Sequence, residues 1–178
     1  MNKEVLVIDD NPDIRFLICN ILKEKNFNVR SAANYDQAVL EINKKLPDLA
    51  IIDIKLDRID KDGIDLLKLL IEKNNSLPVI MISGHATVPV ALESIRLGAY
   101  EFIEKGASFS KDKLLNYVKR ALETAHLKEE KDLIESINIG AEAIIKWIGY
   151  NPSDKTINEI KYNFSDLLNR KLNEKQRI

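Results

Sequence analysis

Three carboxylates, a hydroxyl and an ammonium stand at intervals that one fold would gather: Asp9, Asp10, Asp53, Ser83 and Lys105. Each lies at or just past the end of a short apolar run: Val5-Leu6-Val7-Ile8, Leu49-Ala50-Ile51-Ile52, Val79-Ile80-Met81-Ile82, and the less apolar Tyr100 to Glu104. If those runs are neighbouring parallel strands, their carboxyl edges bring all five groups into one crevice, where open α/β sheets bind ligands. The chemistry such a set suits is phosphoryl transfer to a carboxylate. It needs a positioned, exposed nucleophile, a divalent cation to offset charge, and donors for the phosphoryl oxygens. Asp53 ends the central strand and is the best-placed nucleophile, aspartyl-phosphate being a known covalent form. Asp10, with Asp9 behind it, offers the hard oxygen ligands Mg²⁺ prefers, and the main-chain carbonyl of Lys55 would complete the protein's share. Three acids so close repel one another, which a bound divalent ion relieves. Ser83 can donate to one phosphoryl oxygen and Lys105 can pair with another as a point charge.

Singly, each residue has a plainer use: Asp9-Asp10 as a helix cap or turn, Asp53 as a strand end, Ser83-Gly84 as a turn, Lys105 as a solvated lysine. Five of them at successive strand ends is a far more specific pattern.

The elements that must position them alternate regularly up to about residue 125. Asn11 caps and Pro12 opens a helix in which Ile14, Leu17, Ile18, Ile21 and Leu22 repeat at helical spacing. Phe27-Asn28-Val29 reads as a weak second strand, and Asn34 caps a helix that stops before Pro47. The third strand, Leu49–Ile52, is apolar throughout, as a strand covered on both faces should be. Helices follow over Asp65–Lys73, over Val90–Leu97 (ended by Gly98) and from near Ser110, with strands beginning after Pro78 and at Tyr100. Five β-α repeats with short connections predict a doubly wound, five-stranded parallel sheet with right-handed crossovers. Its first and third strands flank the reversal point, where Asp9, Asp10 and Asp53 converge.

From about Glu123 the strands cease. Leu127, Ile134, Ile137, Ala141, Ile144 and Ile148 keep a three-four spacing, interrupted by Gly140. A turn over Gly149–Asp154 leads to Ile157, Ile160, Phe164 and Leu167 at the same spacing. This predicts two parts, a domain over 1–125 and a helical extension over 126–178 whose hairpin has one apolar face. Such a face is too small to be buried alone and should pack on the first part or on a second copy.

Composition sets the outer limits. The chain has 178 residues, 45% of them hydrophobic, and a net charge of −1 that stays balanced on both sides of residue 125. Neither part advertises nucleic acid or an anionic membrane. The lone Cys19 excludes an internal disulfide and sits in an apolar helical stripe, as a small core residue would. No signal-peptide pattern opens the sequence, and no apolar run nears the roughly 20 residues that span a bilayer, so a cytoplasmic protein without membrane contact is expected.

With these residues in view, positions 1–125 resemble the receiver domain of bacterial two-component response regulators. The resemblance rests on Val7-Ile8-Asp9-Asp10-Asn11, Ile51-Ile52-Asp53-Ile54, Met81-Ile82-Ser83-Gly84-His85 and Gly98 through Lys105. The last two stretches and the long loop from Asp53 to Gly63 are most similar to nitrogen-regulator, NtrX-type receivers. The resemblance implies a flavodoxin-like fold in which Asp53 accepts phosphate from a histidine kinase, Asp9 and Asp10 hold magnesium, Ser83 is the switch hydroxyl, Lys105 pairs with the phosphate and Phe102 is the rotating aromatic. Two departures stand out. The usual Met-Pro pair after the acceptor is replaced by the charged stretch Ile54 to Gly63, and Gly106 follows the lysine where the family usually has proline. A non-proline cis bond costs about 2.5–4 kcal/mol, so a trans bond or a rearranged loop is expected, with looser placement of the ammonium.

NtrX-type proteins continue into an ATPase and a DNA-binding helix-turn-helix. This sequence has no Gly-x-x-x-x-Gly-Lys-Ser/Thr loop, so nucleotide hydrolysis is not expected of it. Nor is small-molecule catalysis, since His85 and His126 are its only histidines; at most the acceptor phosphorylates and dephosphorylates itself. The favoured expectation is a phosphorylation-controlled signalling protein acting through a homodimer or a protein partner, with Ala91, Ile95, Arg96 and Tyr100 on the responding surface. Alternatives are a transcription regulator touching DNA through Lys161, Arg170, Lys171, Lys175 and Arg177, or a phosphate sink that only competes for a kinase. Glu159, Asp166 and Glu174 dilute the basic set.

Overall fold

The computed structural model describes residues 2–56, 62–84, 87–106 and 109–147, with positions 162 and 166 beyond them. Strands and helices alternate: β1 (Glu4–Ile8), α1 (Pro12–Lys23), β2 (Asn28–Ala32), α2 (Tyr35–Lys44), β3 (Leu49–Asp53), α3 (Gly63–Lys73), β4 (Val79–Ser83), α4 (Val88–Arg96), β5 (Glu101–Glu104) and α5 (Lys111–Trp147). The strands form one sheet in the order β2-β1-β3-β4-β5, every pair parallel. The chain steps outward from β1 to β2, then returns past β1 to β3. The reversal point therefore lies between β1 and β3, as the alternating pattern predicts.

Alternation along the strands builds two cores. Leu6, Ile8, Ala50, Ile52 and Met81 face one side and meet Ala38, Ile42, Leu66, Leu67 and Leu70 from α2 and α3. Val5, Val7, Leu49, Ile51, Ile80 and Ile82 face the other and meet Ile18, Leu22, Leu114, Val118 and Ala121 from α1 and α5. With both faces covered, β1, β3 and β4 can be apolar along their length, which is why they are plain in the sequence. Cys19 is buried within the second core.

Local chemistry fixes the ends. The Asn11 side chain accepts from the amides of Asp13 and Ile14, with Pro12 in the first turn, and Asn34 accepts from Gln37. Four boundaries differ from the sequence expectation. The amide of Phe27 is held by the Leu22 carbonyl in the turn that closes α1, where Asn26 adopts φ +62°, so β2 starts at Asn28 and runs to Ala32. α3 begins two residues early because Asp62 accepts from Ile64 and Asp65 while the Asp65 carboxylate receives the Asp62 amide. α4 begins at Val88, since Pro89 is tolerated in a first turn, and Gly98 closes its end at φ +104°. β5 is shifted by one residue to Glu101–Glu104. The buried stripe of α1 centres on Ile18 and Leu22, leaving Leu17 half-exposed.

The chain divides into two units, residues 2–125 and residues 126–178. α5 stays helical through Gly140 to Trp147 rather than breaking there. The turn at 149–154 and the basic side chains proposed for DNA lie outside the described residues, as does His85; of the second helix expected over 157–167 only positions 162 and 166 are described, both helical. Among the described residues no helix is long and apolar enough to cross a membrane.

Candidate functional site

The sheet register sets the site's geometry. Ile8 pairs with Ile52, Asp53 with Ile82, and Ser83 with Glu104, so the strands finish nearly level. Beyond the last pairs the backbone stays tied: Asp9 donates to the Ala32 carbonyl, Ile54 to Ile82 and Lys105 to Ser83. Asp9, Asp10, Asp53, Ser83 and Lys105 are thereby delivered to one edge.

Carboxylate oxygens of Asp9, Asp10 and Asp53 all lie within 4.8 Å of one another. Lys105 Nζ sits between two of them, 2.7 Å from Asp53 Oδ2 and 2.8 Å from Asp9 Oδ2. Only the first contact has hydrogen-bond geometry. Asp9 is fully buried: its Oδ1 accepts the Asn11 amide at 3.0 Å, while its Oδ2 accepts no hydrogen bond. Asp10 is the most open of the three acids. The loop carrying Asp9 and Asp10 is also held from α1, where Arg15 Nη1 donates to the Asp9 carbonyl at 2.6 Å and to the Asp10 carbonyl at 3.3 Å.

Asp53 departs from expectation. Its surface is only 5% exposed, where a nucleophile was expected to stand open. The cause is Lys105, whose ammonium closes over the carboxylate in place of solvent. Burial pushes the Asp53 pKa up, Lys105 opposes that shift, and the charges of Asp9 and Asp10 add to it. The expected looseness of Lys105 is likewise not found. Every peptide bond among the described residues, Lys105–Gly106 included, is trans, yet the Lys105 side chain is only 13% exposed and its ammonium is held at two short contacts. The paired acids hold it whatever residue follows.

Ser83 is buried beside this group, and Phe102, opposite Met81 in the register, packs partly buried on the core shared with α2 and α3. Lys55 follows Asp53 by two residues with its side chain in solvent. The donor set fits a hard divalent cation such as Mg²⁺: three converging carboxylates, one bearing a buried oxygen without a hydrogen bond.

Two residues of the site escape a reading by spacing. Gly63, at the start of α3, passes so close to β3 that a Cβ there would lie 2.1 Å from the Asp53 carbonyl oxygen. Arg15 has a sequence signal in hindsight, since a cation in the first turn of a helix opposes the helix dipole and invites a second explanation.

Comparison with known proteins places the chain in a family. The response regulator receiver domain signature matches residues 5–119. The nitrogen assimilation regulatory protein NtrX of Azorhizobium caulinodans is 39% identical over 130 residues, covering 73% of this chain and 28% of that protein. The chain thus spans little more than a quarter of that relative's length. The receiver domain of NtrX from Brucella abortus is 42% identical with a TM-score of 0.63, over 67% of this chain and 98% of that one. The beryllofluoride-activated NtrC4 receiver domain dimer is 31% identical with a TM-score of 0.63, over 68% of this chain and 98% of that one. The motif residues, the sheet order and the acid-lysine cluster thus share one explanation: the chain belongs to the response regulator receiver domain family, with NtrX-type receivers among its relatives.

Proposed function

We propose that the chain accepts a phosphoryl group on Asp53 from the phosphohistidine of a histidine kinase. The observation that carries this reading is the Lys105 ammonium paired to Asp53 inside a three-carboxylate cluster. An Asp53 oxygen attacks phosphorus, a P–O bond forms, and the P–N bond to the donor histidine breaks with the electron pair leaving on nitrogen. Lys105, freed from the carboxylate, pairs with one phosphoryl oxygen, and the Ser83 hydroxyl donates to another. Mg²⁺, when held by Asp9, Asp10, Asp53 and the Lys55 carbonyl, offsets the charge of the acids and the incoming phosphoryl group.

Output then follows as a population shift. Ser83 moves toward the phosphoryl group, Phe102 takes the space released, and the surface of α4 and β5 re-forms. Val88, Leu92 and Ile95 leave α4 with exposed apolar side chains, which supports a surface that meets a second copy or a protein partner. The relative recorded as a beryllofluoride-activated receiver dimer points the same way. Residues 126–178 act in this scheme as an added dimerisation or partner module, for which the exposed Leu127, Ile134 and Ile139 of α5 give support.

Incubation with a small phosphodonor and Mg²⁺, followed by intact mass measurement, tests the acceptor. The wild type should gain one phosphoryl group and Asp53→Asn none; equal uptake by the variant refutes the assignment. Sedimentation with beryllofluoride tests the output separately, and an unchanged mass would remove dimerisation while leaving the acceptor standing.

A further inference from the structure

We infer that Arg15 is a positioning residue, holding the Asp9–Asp10 main chain so that both carboxylates face the cation site. The inference rests on the reading of the acid cluster as a divalent-cation site and concerns how that site is kept in shape.

The loop from Asp9 to Asn11 joins β1 to α1 and carries two of the three acids. Its forward side is fixed by Asn11, whose amide binds Asp9 Oδ1 and whose side chain caps α1. That leaves the carbonyls of Asp9 and Asp10, which no backbone amide among the described residues takes once β1 has ended at Ile8. Arg15 supplies the missing donor from the first turn of α1, reaching back with Nη1 to both carbonyl oxygens, at 2.6 and 3.3 Å. Rotating the Asp9–Asp10 peptide would break the first contact and rotating the Asp10–Asn11 peptide the second, and the two peptides together set the direction in which the Asp10 carboxylate leaves the main chain. Mutual repulsion of Asp9, Asp10 and Asp53 favours such a rotation, because Lys105 contacts Asp9 and Asp53. The helix gains nothing from Arg15, since positive charge in a first turn opposes the dipole. Its burial is intermediate and its bonds go to the site loop.

This role makes a prediction whose sign separates it from the plain alternative. A nearby cation with no positioning role repels Mg²⁺, so deleting it would tighten Mg²⁺ binding. A cation that shapes the ligand loop does the reverse. We would titrate the full chain with Mg²⁺ by calorimetry, comparing wild type, Arg15→Met and Arg15→Lys, with melting in EDTA as the check on folding. Arg15→Met should bind Mg²⁺ about tenfold more weakly, the order of loss seen when outer-shell partners of metal ligands are removed. Its melting temperature in EDTA should stay close to that of the wild type. Arg15→Lys, which keeps one donor and the charge, should recover part of the affinity. Unchanged or tighter binding by Arg15→Met overturns the role of Arg15 while leaving the site intact. If Arg15→Met melts early in EDTA, the Arg15→Lys titration decides, and affinity no better than that of Arg15→Met overturns the role. Absence of Mg²⁺ binding by the wild type overturns the cation site itself, and this inference with it.

Discussion

Replacing Gly63 by alanine should damage the acceptor more than the fold. A Cβ at that position would stand 2.1 Å from the carbonyl oxygen of Asp53, 2.9 Å from its carbonyl carbon and 3.0 Å from the Cα of Ile54. Ordinary contact begins at 3.4 Å, so the groups must separate by more than 1 Å. Neither side offers a flexible side chain to yield. β3 is paired on both edges, and α3 is pinned by its Asp62–Asp65 capping box and by buried Ile64, Leu66, Leu67 and Leu70. The amide of Gly63 also holds the Ile54 carbonyl at 2.9 Å, and that bond draws the two segments together. Overpacking of this kind costs about 1–3 kcal/mol, which the fold should survive. A displacement of about 1 Å at a reacting group costs on the order of 10²-fold in rate, and the residue displaced is Asp53. Phosphoryl uptake from a small donor, followed by intact mass, should therefore slow about 100-fold while the melting temperature falls by roughly 3–10 °C. Gly106→Ala supplies the control, since a Cβ there meets nothing within 4 Å. If Gly63→Ala takes up phosphate as fast as Gly106→Ala, the close approach does not position Asp53 and the reasoning fails.

Other perturbations act through charge, two of them at this site and one away from it. Burial raises the Asp53 pKa, so the folded state holds that proton more tightly than the unfolded chain does. The stability this lends is complete below the usual value near 3.8 and is lost as pH rises through the raised one. Asp53→Asn should accordingly melt higher than the wild type at pH 7 in EDTA, with the gain shrinking on acidification; a variant that melts lower at pH 7 refutes the sign. Lys105→Met removes the cation from the acid cluster, so Mg²⁺ should bind several-fold tighter while phosphoryl uptake slows at least tenfold; a calorimetric titration paired with intact mass separates the two effects. Arg30 lies at the opposite edge of the sheet, with its guanidinium 2.6 Å from each of the Glu41 and Lys45 carbonyls that end α2. Arg30→Met should cost about 1–2 kcal/mol in denaturant melts and leave the uptake rate unchanged, and a slowed uptake would show that this edge is coupled to the site.

The parts of this fold that the sequence discloses are those governed by local rules. Strands covered on both faces must be apolar throughout, so Val5–Ile8, Leu49–Ile52 and Val79–Ile82 stand out. Asn11 and Asn34 announce their helices because a side-chain oxygen satisfies free amides within three residues. Where two local rules compete, spacing misleads. Phe27 has the look of a strand residue, but its amide is already committed to closing α1. Leu17 has the spacing of a core residue, but the stripe turns toward Cys19 and leaves it half in solvent. Contacts through space are the least legible: neither the passage of Gly63 over the Asp53 carbonyl nor the return of Arg15 to its loop leaves a mark on residue spacing.

Lys105 shows how far a strand-end argument reaches and where geometry takes over. Spacing puts it after β5, which is separated from β3 by the whole of β4. Adjacent strands lie about 4.8 Å apart, so roughly 10 Å separates the backbone of Lys105 from that of Asp53. Only a long side chain spans that gap, and only if β4 ends in something small. It ends in Ser83, buried between them. The serine is therefore under two constraints, a hydroxyl for the chemistry and a small volume for the lysine to pass. An alanine at position 83 meets the second and not the first: the Lys105–Asp53 pair should persist, while the hydrogen bond proposed for the phosphoryl oxygen is lost. A bulky residue such as leucine violates both and would part the ammonium from the acids it neutralises.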